Sequence, residues 1–209
     1  MKLKAVLFDL DGVLIDTEDI YTEFWSGIDR QYPTGIENFA YVIKGTTLKT
    51  ILDEHFDKKN HPEICQKLRD FEDNMPYRLF DGVIELLSTL RQNGVSTAIV
   101  TSSNRLKMSR VFNKLPELEA LIDTLVTDED VTVSKPDPQG YLLAAKRLKA
   151  LPDSFAVVED SLHGLEAGRR AGGKVVGITT TNTADLVKPL CDYMTDSVEN
   201  ISSYLLSDF

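Results

Sequence analysis

Two aspartates, Asp9 and Asp11, stand two positions apart directly behind the apolar run Ala5-Val6-Leu7-Phe8, and Gly12 follows them. Residues two apart in extended chain share a face, so both carboxylates can point into one small volume. Two like charges held that close need a cation, or one of them must hold a proton. Alone, an Asp-x-Asp pair is as well read as a solvated acidic turn; its company points elsewhere. The run Thr97 to Val100 leads into Thr101-Ser102-Ser103-Asn104, hydroxyls at a helix start whose free backbone amides suit an anion. Ser134-Lys135-Pro136-Asp137-Pro138 places one lysine in chain stiffened by prolines. Phe155 to Val158 ends in a further acidic pair, Glu159-Asp160-Ser161. Taken singly, Thr101 and Ser161 are helix caps, Lys135 is a surface charge, and Glu159 and Asp160 are loop acids. Four such groups, each behind a separate apolar run, indicate one site that gathers carboxylates, hydroxyls and an ammonium.

The elements that must position them are short apolar strand candidates: Ala5 to Phe8, Thr97 to Val100, Leu125 to Val126, Phe155 to Val158 and Val175 to Ile178. Each is followed by a polar or glycine-containing loop and then a helix-like stretch. Asp81 predicts the N-cap of a helix carrying Val83, Leu86, Leu87 and Leu90, with Gly94 as its stop. Asp137-Pro138 predicts another, with Tyr141, Leu142, Ala145 and Leu148 on one face. This alternation predicts an α/β fold, a doubly wound parallel sheet with helices on both faces. From about Asp16 to Phe80 the alternation stops, and Ile64, Leu68, Phe71 and Met75 show helical spacing instead. The predicted organisation is therefore a core of residues 1–15 and 81–209 with a helical insert at 16–80. Leaving directly after the first strand, the insert would lie over the carboxyl ends of the strands, where open α/β sheets bind ligands. Asp16 or Thr17 would cap its first helix, and Ser197 to Phe209 has the pattern of a closing amphipathic helix.

Across 209 residues, 23 lysines and arginines oppose 33 aspartates and glutamates, a formal net charge of −10. That balance repels nucleic acid and anionic membranes, and it obliges any site for an anionic metabolite to supply positive charge locally, by a metal or a lysine. Cys65 and Cys191 are the two cysteines, and a chain of this length needs no disulfide, which fits a reducing cytoplasm. Asp9 and Asp11 interrupt the first apolar run, which makes it a strand and not an export signal. No stretch reaches the roughly 18 apolar residues of a membrane span. The expectation is a soluble cytoplasmic protein, a monomer or weak dimer, with neither nucleic-acid nor membrane partners.

Jointly, four segments resemble the motif set of the haloacid dehalogenase superfamily, and within it the β-phosphoglucomutase-like phosphatases. They are Asp9-Leu10-Asp11-Gly12-Val13-Leu14, Thr101 behind its strand, Lys135-Pro136-Asp137-Pro138, and Glu159-Asp160-Ser161 continuing through Gly164, Ala167-Gly168 and Ala171-Gly172. The resemblance implies a magnesium-dependent phosphatase for small phosphorylated metabolites, sugar phosphates foremost, working through an aspartyl-phosphate. It makes Asp9 the nucleophile and Asp11 the general acid and base. Thr101 and Lys135 would hold phosphoryl oxygens, with Ser102 and Asn104 beside them. Asp160 and Asp9 would bind magnesium together with the main-chain carbonyl of Asp11, and Glu159 would be an outer-sphere or alternate ligand. The insert corresponds to a small helical cap whose substrate-contacting loop matches Lys44-Gly45-Thr46-Thr47. A helix-start glycine beside a solvent lysine accounts for Lys44 and Gly45 nearly as well.

Other readings fit less well. Gly168 to Lys174 matches the first seven positions of a phosphate-binding P-loop, but Val175 replaces the required hydroxyl and the run precedes a strand, so it is a helix ending. His55, His61, His163 and the cysteines lack zinc-ligand spacing, and no Gly-x-Ser-x-Gly elbow is present. Neither cysteine has an arginine six residues on, which disfavours a cysteine-based phosphatase. Mutases of the resembled family carry a histidine and an arginine where Tyr21 and Leu48 stand, which tilts the expectation toward hydrolysis. Pyrophosphate hydrolysis stays open. A phosphorylation-controlled receiver module would have no helical insert after its first strand.

Overall fold

A computed structural model describes residues 2–207. Its sheet has six parallel strands, β1 (Ala5–Phe8), β2 (Ser96–Val100), β3 (Thr124–Val126), β4 (Phe155–Glu159), β5 (Lys174–Ile178) and β6 (Tyr193–Thr195), in the order β3-β2-β1-β4-β5-β6. The order reverses between β1 and β4, and a crevice opens at the carboxyl ends of strands at such a point. Phe8 pairs with both Ile99 and Val158, so the residues that follow β1 lie level with the ends of its two neighbours.

Every residue of β1 is buried, as a central parallel strand covered on both sides requires. Alternate residues serve opposite layers. Val6, Phe8, Ile99 and Val158 pack against helices α5 (Val83–Gln92), α6 (Arg105–Lys114) and α11 (Ile201–Ser207). Ala5, Leu7, Val100 and Val157 pack against α8 (Gln139–Arg147) and α9 (Leu162–Ala171). Each fully buried leucine or phenylalanine contributes roughly 1.5–3 kcal/mol relative to exposure, enough to hold the strand ends in register. Two short helices, α7 (Pro116–Glu119) and α10 (Ala184–Val187), complete the layers.

Between β1 and α5 the chain forms α1 (Glu18–Gln31), α2 (Phe39–Val42), α3 (Leu48–His55) and α4 (His61–Asn74). These carry their own apolar cluster, including Trp25, Ile28, Phe39, Ile51, Ile64 and Leu68. The chain enters and leaves side by side: Ile15 and Leu79 form an antiparallel bridge, the Asp16 N–H donates to the Arg78 carbonyl at 2.9 Å, and the Phe80 N–H to the Leu14 carbonyl at 3.1 Å.

Some local expectations need correcting. The N-cap of α5 is Gly82, one position after Asp81. On α8 the buried positions are Tyr141, Ala144 and Ala145, whereas Leu142 is 46% exposed and Leu148 is the C-cap; Pro138 is the N-cap and Asp137 accepts from the Gln139 N–H at 2.9 Å. Strand β6 was not anticipated, because Tyr193-Met194-Thr195 holds no aliphatic run to announce it. The closing segment is a 3₁₀ turn over Val198–Asn200 followed by α11, while Asp208 and Phe209 lie outside the described residues, as does Met1. The Gly168 to Lys174 run ends α9, with Gly172 as its left-handed C-cap. No helix among the described residues is long and apolar enough to cross a membrane.

Candidate active site

Asp9 leaves β1 with its N–H donating to the Val158 carbonyl at 3.0 Å, so the sheet register itself fixes its height. The chain then turns tightly, with Leu14 and Ile15 N–H groups both donating to the Leu10 carbonyl at 2.9 and 3.0 Å. Gly12 makes that turn possible. It sits at φ +77°, and a Cβ there would strike the Asp160 carboxylate.

Behind β3, Lys135 extends inward and is 7% exposed. Its ammonium donates to Asp9 Oδ1 at 2.5 Å, to Glu159 Oε1 at 2.6 Å and to the Val100 carbonyl at 3.1 Å. All three of its N–H bonds therefore have partners. Glu159 is fully buried and engaged at both oxygens. Oε1 accepts from Lys135 and from the Tyr141 hydroxyl at 2.9 Å; Oε2 accepts the Asp160 and Ser161 N–H groups and the Ser161 hydroxyl, each at 3.0 Å. So placed, Glu159 anchors Lys135 and the start of α9. Gly164 permits this, because a Cβ there would overlap the Glu159 carboxylate.

Three carboxylates, those of Asp9, Glu159 and Asp160, offer oxygens all within 4.8 Å of one another. Burial raises the Asp9 pKa to about 8 against the opposing pull of Lys135, with Glu159 and Asp11 adding to the rise. Burial likewise holds Asp160 well above the carboxylate range, helped by the charges of Glu18, Glu159 and Asp9. Glu159 is held below the ordinary value: burial works to raise it, but Lys135 and its hydrogen bonds prevail. Lys135 is held above the lysine value by Asp9 and Glu159, although its burial acts the other way. With all three carboxylates ionised, the single ammonium would leave two negative charges unbalanced, which one divalent cation would match. All its donors would be hard oxygens, the kind magnesium selects. Asp9 and Asp160 suit that role best, since Glu159 has its lone pairs committed.

The side chain of Asp11 turns another way. Its Oδ1 accepts from the Thr17 hydroxyl at 2.5 Å and Lys107 Nζ at 2.7 Å; its Oδ2 accepts from Lys107 at 2.6 Å and the Ser103 hydroxyl at 3.3 Å. Thr17 stands at the N-cap of α1 without a capping bond, and its hydroxyl donates to Asp11. At β2, Thr101 is buried and accepts from the Ser103 N–H at 3.0 Å. The cap of α6 is Asn104, whose side-chain oxygen accepts from the Lys107 N–H at 2.9 Å. That oxygen is committed to the helix, while Asn104 also lines the cavity. Ser161 is a true cap, accepting from the Gly164 N–H at 3.1 Å.

The segment 44–47 closes over these loops. Ser102 donates to the Gly45 carbonyl at 2.7 Å, His163 Nδ1 lies 3.2 Å from the Lys44 carbonyl, and Lys44 pairs with Glu18 at 2.7 Å. Lys44 is thus a paired, largely buried cation at the cavity wall, and Gly45 meets the core through its backbone. A cavity of about 130 Å³ lies between, lined on one side by Asp9, Asp11, Thr101, Ser102, Asn104 and Asp160. Its other wall holds Tyr21, Trp25, Ile43, Leu48, Ile51 and Leu68 with Lys44, Glu18 and Glu72.

Asp9, Thr101, Lys135, Glu159 and Asp160 thus gather at neighbouring strand ends. Missing from the sequence reading were Lys107, the bond from Ser103 to Asp11, the hydroxyl role of Thr17 and the clamp formed by Thr180 and Asn182. Thr180 donates to the Gly12 carbonyl at 2.5 Å and Asn182 to the Asp160 carbonyl at 2.9 Å. The one available signal was Lys107 itself, a lysine four residues before Val111 on the buried stripe of α6.

A family profile for haloacid dehalogenase-like hydrolases matches residues 3–172. A validoxylamine A 7'-phosphate phosphatase from Streptomyces hygroscopicus subsp. limoneus is 35% identical over 191 residues, 87% of this chain and 88% of its own. A pyrophosphatase from Bacillus velezensis is 30% identical over 210 residues, 96% of this chain and 95% of its own. Among solved structures, a Bacteroides vulgatus protein assigned as a β-phosphoglucomutase superposes with a TM-score of 0.82 at 26% identity, covering 99% of this chain and 91% of that one.

Proposed function

The chain belongs to the haloacid dehalogenase-like hydrolases, in their β-phosphoglucomutase-like branch, and on that footing we propose that it is a magnesium-dependent phosphatase of small phosphorylated metabolites, sugar phosphates foremost, acting through an aspartyl-phosphate. The observation that carries this reading is Asp9, a buried carboxylate with one oxygen held by Lys135 at 2.5 Å, beside Asp160 and at the rim of an organic-sized cavity.

With Oδ1 of Asp9 held by Lys135, Oδ2 attacks phosphorus while the bond to the leaving oxygen breaks. Asp11, entering this step as the carboxylic acid, gives that oxygen its proton. As a carboxylate it then takes a proton from the water that displaces Asp9 from phosphorus, which frees inorganic phosphate and restores both side chains. Little covalent work falls to a protein in phosphoryl transfer, so alignment and positive charge around the equatorial oxygens set the rate. Lys135 supplies such charge, and the hydroxyls of Thr101 and Ser102 border the same cavity. Magnesium, held by Asp9, Asp160 and the Asp11 carbonyl, would add a second positive charge against the phosphoryl oxygens.

The apolar wall formed by Trp25, Ile43, Ile51 and Leu68 suits the organic part of a phosphate ester better than a second phosphate. Mutase activity is disfavoured, since Tyr21 donates its hydroxyl to Glu72 at 3.0 Å and Leu48 brings no cation. The test is phosphate release from sugar phosphates, other monoesters and pyrophosphate by purified protein with magnesium. Faster release from a monoester than from pyrophosphate is expected. Conversion of β-glucose 1-phosphate to glucose 6-phosphate would indicate a mutase, preference for pyrophosphate a pyrophosphatase, and no release from any compound would overturn the reading.

A further inference from the structure

Three cations on one side of α6, at spacings of three and four residues, hold the inserted segment. Lys114 donates to the Met75 carbonyl at 2.9 Å. Arg110 binds Glu72 at 3.1 Å and Asp73 at 2.6 Å, both on α4. Lys107 places its ammonium 4.4 Å from the centre of the Tyr21 ring on α1. Only Lys107 reaches into the chemistry as well, bridging both oxygens of Asp11 at 2.7 and 2.6 Å while being 3% exposed. A lysine that buried needs a compensating charge, and Asp11 provides it.

We propose that Lys107 is a positioning residue for the reaction, holding the Asp11 carboxylate where it exchanges a proton with the leaving oxygen and linking that placement to the seat of α1. The proposal rests on the phosphatase reading above. An aspartate side chain has two free torsions. Thr17 and Ser103 each touch one oxygen and bias the rotation of the carboxylate, whereas Lys107 touches both and anchors the group as a whole. Proton donation matters most for a poor leaving group. An alkoxide cannot depart without a proton, whereas p-nitrophenolate can.

The test is single-turnover phosphorylation of the full-length protein, followed by rapid quench, with glucose 6-phosphate and with p-nitrophenyl phosphate in the presence of magnesium. Lys107→Met is expected to slow transfer from glucose 6-phosphate at least about ten-fold more than transfer from p-nitrophenyl phosphate, a tenth or less of a full general-acid effect. Lys107→Arg keeps the charge with different geometry and should move the ratio in the same direction by less. Arg110→Met loosens the same seat without touching Asp11, so it should lower both rates alike. Equal slowing of the two esters by Lys107→Met, or an equal shift of the ratio by Arg110→Met, would overturn the proposal. Should Lys107→Met fail to fold, a wild-type ratio in Lys107→Arg overturns it. Wild-type protein that accepts phosphate from neither ester would overturn the phosphatase reading itself, whereas wild-type transfer with an unmoved ratio overturns the positioning role alone.

Discussion

At the scale of single residues, the site is a charge balance built around Lys135. Its ammonium links Asp9 to Glu159, and Glu159 is itself held by Tyr141 and by the backbone at the start of α9. Gly164 is the weak point in that chain, because a methyl group there must displace the Glu159 carboxylate. Gly164→Ala is expected to destabilise the fold by roughly 1–3 kcal/mol, the usual range for overpacking, and to lower kcat more than it raises KM; equilibrium denaturation and steady-state kinetics read both. Asp9, Asp11, Thr101, Lys135, Glu159 and Asp160 were legible in the sequence because each closely follows an apolar strand or a proline-stiffened loop. Lys107 was not, since a lysine within a helix is ordinarily solvated and only the fold brings it within reach of a residue 96 positions away. Asn104 has a second task that the sequence did not separate from ligand binding: a polar side chain at a helix start serves the helix as readily as a ligand.

Among elements, the strand ends matter most. Five strands could be read from the sequence, but β6 could not: it matches the other edge strand β3 in length and burial, yet Tyr193-Met194-Thr195 has no aliphatic pair like Leu125-Val126 to mark it. Helix starts were placed within a residue or so, as for Gly82 in place of Asp81. The loop behind β3 is tied down by Asp130. Its carboxylate accepts from the Thr127 N–H and hydroxyl at 3.0 Å, from Arg105 at 2.9 Å on α6 and from Arg147 at 2.7 Å on α8. Partial burial opposes its charge, yet these bonds hold its pKa at about 2. A folded value below the unfolded one, about 3.9, stabilises the protein above pH 4, and that contribution disappears as pH falls from about 4 to 2. Asp130→Asn should therefore cost about 1–2 kcal/mol at pH 7 and much less near pH 2.5, as urea unfolding at the two values would reveal. An equal cost at both would refute the role.

For the molecule as a whole, a formal charge of −10 surrounds a site that must accept an anion, and local cations resolve the conflict. If Asp9, Glu159 and Asp160 hold magnesium beside Lys135, the ion should have a measurable effect on stability. At about a hundred times its Kd the ion should stabilise the folded state by roughly 2–3 kcal/mol, raising Tm. Asp160→Asn should lose that rise while melting no lower than wild type without metal, since burial already disfavours the charge of Asp160 and the amide carries none. A full magnesium shift in the variant would place the ion elsewhere. The general arrangement, an α/β core with helices inserted after the first strand, followed from the sequence pattern. How segment 44–47 seats on Ser102 and His163 did not, because those contacts run largely through backbone carbonyls that side-chain identity does not report. The central claim is that the whole assembly serves Asp9 as nucleophile, and steady-state phosphate release by folded Asp9→Asn with magnesium tests it most directly. A fall of at least about 1,000-fold is predicted; turnover at the wild-type rate would contradict it.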